Sequence, residues 1–274
     1  MNVAIQGEPG SFSHEAALRF SSETTIFPCA LSAEVFSAVD ERRVDAAVIP
    51  IENSLAGSVV EHYDLLLTHD VVIERELLLR IRHNLIAVPG TRLDQIHRVY
   101  SHPVALAQCR HFLGQHPQIE AIPHYDTAGS VKQLMELRDR SSAAIASAEA
   151  ASYYGGEILA AGIEDNPENY TRFFLIRLHS EIVSDPAADK VSLAFTVENR
   201  PGTLVEALQV FASQGTNLTR IESRPVHGQP WHYVFYTDYQ LSSPESADAA
   251  LALLSRHCSM VKELGRYRAG QREG

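Results

Sequence analysis

The sequence predicts an α/β protein of two lobes facing a cleft, followed by a separate module of order βαββαβ. Three observations predict this. Short apolar runs alternate with amphipathic stretches up to residue 176, and strand-like runs near 71–81 and 167–176 are placed to cross between lobes. Around "HSEIVSDPAAD" the composition turns to linker before a new strand–helix series begins. Alternation of this kind argues a parallel sheet covered by helices. The expected boundaries are 1–180 for the two-lobed domain, with lobe one about 1–76 and 167–180, lobe two about 77–166, and the module at 190–268.

Each element follows from local chemistry. "NVAIQG" reads as a strand, and "SFSHEAALRF" opens a helix with Ala16, Ala17 and Phe20 on one face. "SAEVFSAV" is a second helix, opened by Ser32. "DAAVIP" is a buried strand ending at Pro50, after which Ser58 and Glu61 form an S-x-x-E capping box for a helix through Leu65. The second lobe runs through "NLIAV", "RVYSHPVALAQC", "IEAIPHYDTAGSVKQLMEL" and "SAAIASAEAASYYG", and "RFFLI" returns the chain. The layout is that of a hinged, periplasmic-binding-protein-like fold. In the module, "KVSLAFTVEN" is a strand, and "GTLVEALQVFASQG" a helix burying Leu204, Leu208 and Phe211 and stopping at Gly215. "LTRIESRPV" and "WHYVFYTDYQ" are strands about a turn at Gly228. A helix marked by Ala247, Ala250, Leu251 and Leu254 precedes the last strand, "MVKELGRYR". The order is ferredoxin-like, and the tail "AGQREG" has the composition of a disordered end.

The totals exclude several function classes. A net charge of −11 over 274 residues leaves no cationic excess to displace counterions from nucleic acid, although a locally positive pocket for a small anion remains open. The three cysteines, Cys29, Cys109 and Cys258, are scattered and include no C-x-x-C pair, so neither a disulfide framework nor a metal site is expected. No H-E-x-x-H occurs among the thirteen histidines. The N-terminus lacks the basic and apolar regions of a signal peptide, and no apolar run reaches membrane length. A cytoplasmic location without membrane partners is the expectation. Cys109, inside "ALAQCRHFL", reads as a mid-helix core residue.

One device recurs in the first domain: a strand ends and a Ser, Thr or Asn stands where the next helix begins. It occurs at Gly7 to Ser13, at Asn53 and Ser54, at Ser101, and at Thr127 to Ser130. In doubly wound sheets such loops gather at the carboxyl ends of the strands, where helix N-termini suit a carboxylate or phosphate. Ser, Thr and Asn are also ordinary N-caps, so no single loop demands a ligand. No G-x-G-x-x-G, phosphate loop or G-x-S-x-G elbow is present. The residues alone describe a two-lobed small-anion binder carrying a ferredoxin-like module.

The segments "IQGEPGSFSHEAA", "VIPIENSLAGSV", "YSHPVALAQC", "DTAGSV" and "NYTRFFLI" come in the order and spacing of the prephenate dehydratases, which this chain resembles over nearly its whole length. "ENRPGTLVEAL" and "NLTRIESRP" resemble the ACT regulatory domain attached to them. No helical segment precedes the first strand, so the monofunctional form is expected. The resemblance implies a cofactor-free lyase that expels carbon dioxide and hydroxide from prephenate to leave phenylpyruvate. It implies Thr171 as the acid that protonates the departing hydroxyl, with Arg172 an anion anchor or an orienter of the loop. It further implies substrate contacts from Asn53, Ser54, Ser101, Gln108, Thr127, Ala128 and Ser130, with Phe173 packed beside the site. Gln108 is expected two turns into a helix, facing the cleft. Relatives often carry Ala where this chain has Gly129 and Ser130, which leaves arogenate, the amino analogue, open as substrate. A non-catalytic sensor of the same fold is the alternative of another class.

For the ACT module the resemblance implies L-phenylalanine bound as effector between paired domains, and hence a homodimer or homotetramer. The matching positions are Gly202, Thr203, Leu204 and Val205, then Glu222, Ser223, Arg224 and Pro225, with Asn217 placed to take the ammonium. Thr203 departs from the alanine usual in that motif. On its own, "ENRPGTLV" is equally a strand–turn–helix junction.

Overall fold

A computed structural model describes residues 1–182, 185–226, 228–241 and 244–273. In chain order the elements are β1 (Asn2–Gln6), α1 (Phe12–Phe20), β2 (Thr25–Cys29), α2 (Ser32–Asp40), β3 (Ala46–Asn53), β4 (Gly57–Ser58), α3 (Val60–Thr68), β5 (Val71–Arg80), β6 (Asn84–Ala87) and β7 (Arg98–Ser101). They continue with α4 (Pro103–Ala107), α5 (Arg110–Gln115), β8 (Glu120–Pro123), α6 (Thr127–Leu137), β9 (Ser142–Ala146), α7 (Ala148–Tyr154), β10 (Glu157–Ala160) and β11 (Tyr170–Leu178). The last are β12 (Lys190–Thr196), α8 (Thr203–Ser213), β13 (Leu218–Pro225), β14 (Tyr233–Gln240), α9 (Pro244–Leu254), β15 (Met260–Tyr267) and β16 (Arg272–Glu273).

The chain divides into two compact units. The first holds Met1–His62, Leu77–Leu175 and the residues from Gln271; the second holds Tyr63–Glu76 and Ile176–Gly270. In the first lobe the strand order is β16-β5-β11-β3-β1-β2, with β1 parallel to both β2 and β3. Val3, Ile5, Ala46, Val48 and Phe173 form its core, capped by Ala16, Ala17 and Phe20 of α1, the face expected from the periodicity.

The second lobe carries a five-stranded sheet, β10-β6-β9-β7-β8. It is mixed rather than purely parallel: β6 runs antiparallel to β9 and β10, while β7 runs parallel to β8 and β9. Side chains alternate across a strand, so neighbouring residues feed opposite layers. Leu85, Ala87, Ala143 and Ile145 join Ala105, Leu106 and Cys109 on one side. Ile86, Ala144 and Ala146 join Val131 and Leu134 of α6 and Ala150 of α7 on the other. Helices on both faces explain why these strands read as unbroken apolar runs.

The second unit contains the expected βαββαβ sheet, order β13-β14-β12-β15. Its core is Val191, Leu193, Phe195, Ala207, Val210, Phe211, Ala247 and Leu254; Leu204 is only partly buried at its margin. Tyr63–Glu76 packs within this unit, whereas a boundary at residue 180 assigns it to the first lobe. The reason is polar as well as apolar. Lys262 Nζ donates to the carbonyls of Leu66, Leu67 and His69 at 3.0, 2.9 and 2.9 Å, holding the C-terminal end of α3. Lys190 and Glu76 form an ion pair at 2.8 Å, and Tyr63 packs on Tyr236 with ring centroids 4.9 Å apart.

Three local expectations are corrected. Ser58 lies in β4 opposite Glu52, Glu61 Oε2 accepts from Ser32 Oγ at 3.1 Å, and α3 runs on past Leu65 to Thr68. Within the tail, Arg272 and Glu273 form a short strand parallel to Leu78 and Leu79 of β5. The helix expected through Cys109 is broken into α4 and α5, with Gln108 ending the first and Cys109 opening the second. Asp165 causes the break: its carboxylate accepts from the Arg110 and His111 amides at 3.0 and 2.9 Å, capping α5.

Candidate active site

A cleft of about 790 Å³ in the first unit is lined from both lobes, a size suited to a small organic ligand. Lobe one contributes Glu8, Ser11, Ser13, Asn53, Thr171 and Phe173; lobe two contributes His83, Gln108, Tyr125, Asp126, Thr127 and Lys132.

Thr171 stands at the second position of β11, and β11 lies beside β3, which ends at Asn53. Asn53 Nδ2 donates to Thr171 Oγ1 at 2.9 Å and to Asn169 Oδ1 at 2.8 Å, with Tyr170 O at 3.2 Å. Its Oδ1 accepts from the Leu55 and Ala56 amides. Both ends of the Asn53 amide are therefore committed within the protein. Thr171 accepts at Oγ1 and lines the cleft, and its hydroxyl donates to no protein group among the described residues.

The network extends into lobe two. Asn169 is fully buried, and its Nδ2 donates to Gln108 Oε1 at 3.0 Å. His83 Nε2 lies 2.9 Å from the same oxygen. An acceptor on that side puts the imidazole proton on Nε2 and leaves Nδ1 buried without a partner. Burial pushes the His83 pKa below its ordinary value, against the opposing pulls of Gln108 and Glu164. The ring is neutral at physiological pH.

On the facing wall Asp126 caps α6. Oδ1 accepts from the Ala128 amide at 2.9 Å and Oδ2 from the Glu8 amide at 2.9 Å. Gly7 adopts φ +91°, and a Cβ there would stand 2.6 Å from Asp126 Oδ2, so only glycine serves. Lys132 Nζ meets both Glu8 oxygens at 3.1 and 3.2 Å, and Tyr125 donates to Glu8 Oε1 at 3.3 Å.

The expected substrate-binding residues thus divide. Asn53, Gln108, Thr127, Thr171 and Phe173 line the cleft. Ser54, Ser101, Ala128, Ser130 and Arg172 are absent from its lining. Ser54 ties the start of β11 down, its Oγ donating to Glu168 O and accepting from the Tyr170 amide. Ser101 is fully buried and donates to Ile145 O at 2.6 Å. Ala128 is buried in the α6 core, and Ser130 donates to Thr127 O within that helix. Arg172 is buried, with its guanidinium 4.6 Å from the centroid of the Phe174 ring. Sequence reasoning missed His83, Asn169, Glu8, Tyr125, Asp126 and Lys132. Asn169 and Asp126 adjoin recognised motif residues; an isolated His83 before β6 carries no local signal. No group of three His, Cys, Asp or Glu among the described residues could hold a metal ion.

In the second unit, Gly202 adopts φ +91° at the N-cap of α8, and Thr203 Oγ1 donates to the carbonyls of Glu198 and Arg200, closing the turn. Val205 is exposed. Asn217 Nδ2 donates to Gln240 Oε1 at 3.3 Å. Glu222, Ser223, Arg224 and Pro225 lie on β13, the edge strand, where Arg220 pairs with Glu222 and Arg224 with Asp64. Arg224 and Pro225 line a second cavity of about 890 Å³ with Asp64 and Tyr236; Gly202–Val205 and Asn217 do not reach it.

The family model for prephenate dehydratase matches residues 3–181, and that for the ACT domain matches residues 191–238. This chain belongs to the prephenate dehydratase family. It is 39% identical over 278 residues to arogenate dehydratase/prephenate dehydratase 2 of Arabidopsis thaliana, a chloroplastic protein, covering 97% of this chain and 72% of that one. Among solved structures it resembles the prephenate dehydratase of Arthrobacter aurescens in complex with L-Phe, with TM-score 0.89 and 34% identity over 98% of this chain and 90% of that one. It also resembles GqqA, described as a novel type of quorum quenching acylase, with TM-score 0.91 and 33% identity over 98% of both chains. A prephenate dehydratase is a carbon–oxygen lyase, and no helix among the described residues of this one is long and apolar enough to cross a membrane.

Proposed function

We propose that the cleft takes prephenate and that Thr171 protonates the 4-hydroxyl as it leaves with carbon dioxide, giving phenylpyruvate. The observation that carries this reading is the Asn53 amide donating into Thr171 Oγ1. A threonine hydroxyl is a weak acid, and its proton moves only as the ring C–O bond breaks and the leaving oxygen becomes basic. The oxygen left behind gains negative charge, and a donor already aimed at it strengthens at that moment. Aromatisation drives the step. One positioned acid is worth about 10²–10⁴ in rate; orientation within the cleft supplies more.

Arogenate is the second reading, supported by the relative that carries both activities in its name. The test is phenylpyruvate and phenylalanine formation from prephenate and arogenate respectively, by the wild type and Thr171→Ala. Loss of about 10²-fold or more in a folded Thr171→Ala supports the reading. Full activity in that variant would refute it. Likeness to GqqA adds acylase activity as a further arm of the assay.

L-Phenylalanine is the proposed effector, supported by the ACT match and the L-Phe complex of the relative. Gly202–Val205 do not line the cavity that Arg224 and Pro225 line, and we infer a site completed by a second copy, in a homodimer or homotetramer. Feedback then requires two states differing in affinity for the effector. Three free cysteines, two of them buried, suit the reducing cytoplasm.

A further inference from the structure

The cleft is asked to hold a substrate with two carboxylates, yet its own lining is acidic. Glu8 and Asp126 face it with one lysine, Lys132, and no arginine. Asp126 is committed to the α6 cap and to the Glu8 amide. Lys132 and Glu8 are not committed in the same way. Their side chains are 41% and 23% exposed, and an ion pair at such a wet position contributes little net energy. A ligand carboxylate therefore displaces Glu8 from Lys132 at small cost.

We propose that Lys132 is the carboxylate-binding cation of the cleft, exchanging Glu8 for the carboxylate on the three-carbon side chain of the substrate. The inference rests on the reaction assigned above, which also decides between the two carboxylates. The ring carboxylate leaves as carbon dioxide and loses its charge on the way to the transition state. A cation held against it would stabilise the ground state more than the transition state and slow the reaction. The side-chain carboxylate keeps its charge from substrate to product. An ion pair there binds all states alike, lowering KM with little change in kcat. The position fits: Lys132 lies on α6, whose first residue, Thr127, also lines the cleft, and that helix end carries partial positive charge.

The test uses the full chain as Lys132→Met, Lys132→Arg, Glu8→Gln and the double variant Lys132→Met/Glu8→Gln. For each, kcat and KM are measured with prephenate and arogenate, and the Kd of phenylpyruvate by calorimetry. Lys132→Met should raise KM and the phenylpyruvate Kd together, by about 10- to 100-fold, with a much smaller change in kcat. Lys132→Arg should recover most of that loss, Glu8→Gln should lower both constants, and the double variant should stay weak because the cation is gone. If the double variant returns to wild-type KM and Kd, Lys132 merely neutralises Glu8 and the proposal is overturned. A rise in KM with unchanged phenylpyruvate Kd would put the cation on the ring carboxylate, which also overturns it. A wild type inert on both substrates sinks the assigned reaction, while the phenylpyruvate Kd of Lys132→Met still decides the role of Lys132. Thermal melts establish that each variant folds.

Discussion

Asn53 Nδ2 donates to Thr171 Oγ1 across 2.9 Å, joining residues 118 positions apart. The direction of that hydrogen bond matters more than its length. Because the amide donates, the hydroxyl proton stays available to a ligand, and the oxygen is prepared to carry charge.

Asn53→Ala should therefore lower kcat by about 10- to 100-fold with little change in KM, since the amide serves the hydroxyl rather than the substrate. Steady-state kinetics beside Thr171→Ser, which keeps the hydroxyl and should retain most activity, checks this. A loss confined to KM would return Asn53 to the role of a direct substrate ligand.

Ser101→Ala should cost about 1 kcal/mol of stability and leave kcat/KM nearly unchanged. Its hydroxyl is buried against Ile145 O and lies off the cleft. Chemical denaturation and kinetics on the same preparation separate the two effects.

Stability should fall on the acid side of neutrality. His14, His62 and His83 all have pKa values lowered by burial. The unfolded chain therefore binds more protons between the lowered values and about 6.5. Their contribution is complete above pH 6.5 and is lost as the pH falls through the folded-state values. His62 lies with Nδ1 2.5 Å from Pro50 O and Nε2 buried without an acceptor. His62→Asn, which keeps a donor for Pro50, should flatten the melting temperature between pH 7 and pH 5. An unchanged slope would assign the effect to other groups.

The ion pair between Lys190 and Glu76 has side chains only 14% and 1% exposed. Removing one partner of such a pair strands a buried charge. Lys190→Met should cost about 3–5 kcal/mol, and Glu76→Gln in the same chain should restore part of it. A double-mutant cycle by urea denaturation measures the coupling.

Cys109 should resist alkylation in the native protein. Burial, reinforced by Asp165 and Glu164, pushes its thiol up to about 12, so almost no thiolate exists near neutral pH. Mass spectrometry after iodoacetamide treatment at pH 7.5, native against unfolded, reads this directly.

The α1 stripe of Ala16, Ala17 and Phe20 was legible because it follows helical periodicity, and the strand of "RFFLI" because both its faces are apolar. Thr171 was legible through the motif around it. Gln108 was legible as a cleft residue but not as a helix end, because its helix stops at a carboxylate supplied from Asp165. Ser101 and Ser130 look like ligand hydroxyls by position, yet each spends its proton on a backbone carbonyl nearby in space.

Alone, then, the sequence determined the alternation of strands and helices, the ferredoxin-like order of the module and the family, since these depend on local periodicity and on residues close together in the chain. Only the tertiary structure decided which groups meet: Asn53 with Asn169 and Thr171, Glu8 with Lys132, Tyr63–Glu76 with the module's sheet. These partners stand 116, 118 and 124 positions apart in the first three cases. Hydrogen bonds and ion pairs depend on direction and on distances of a few tenths of an ångström, and no local pattern carries either across such a span.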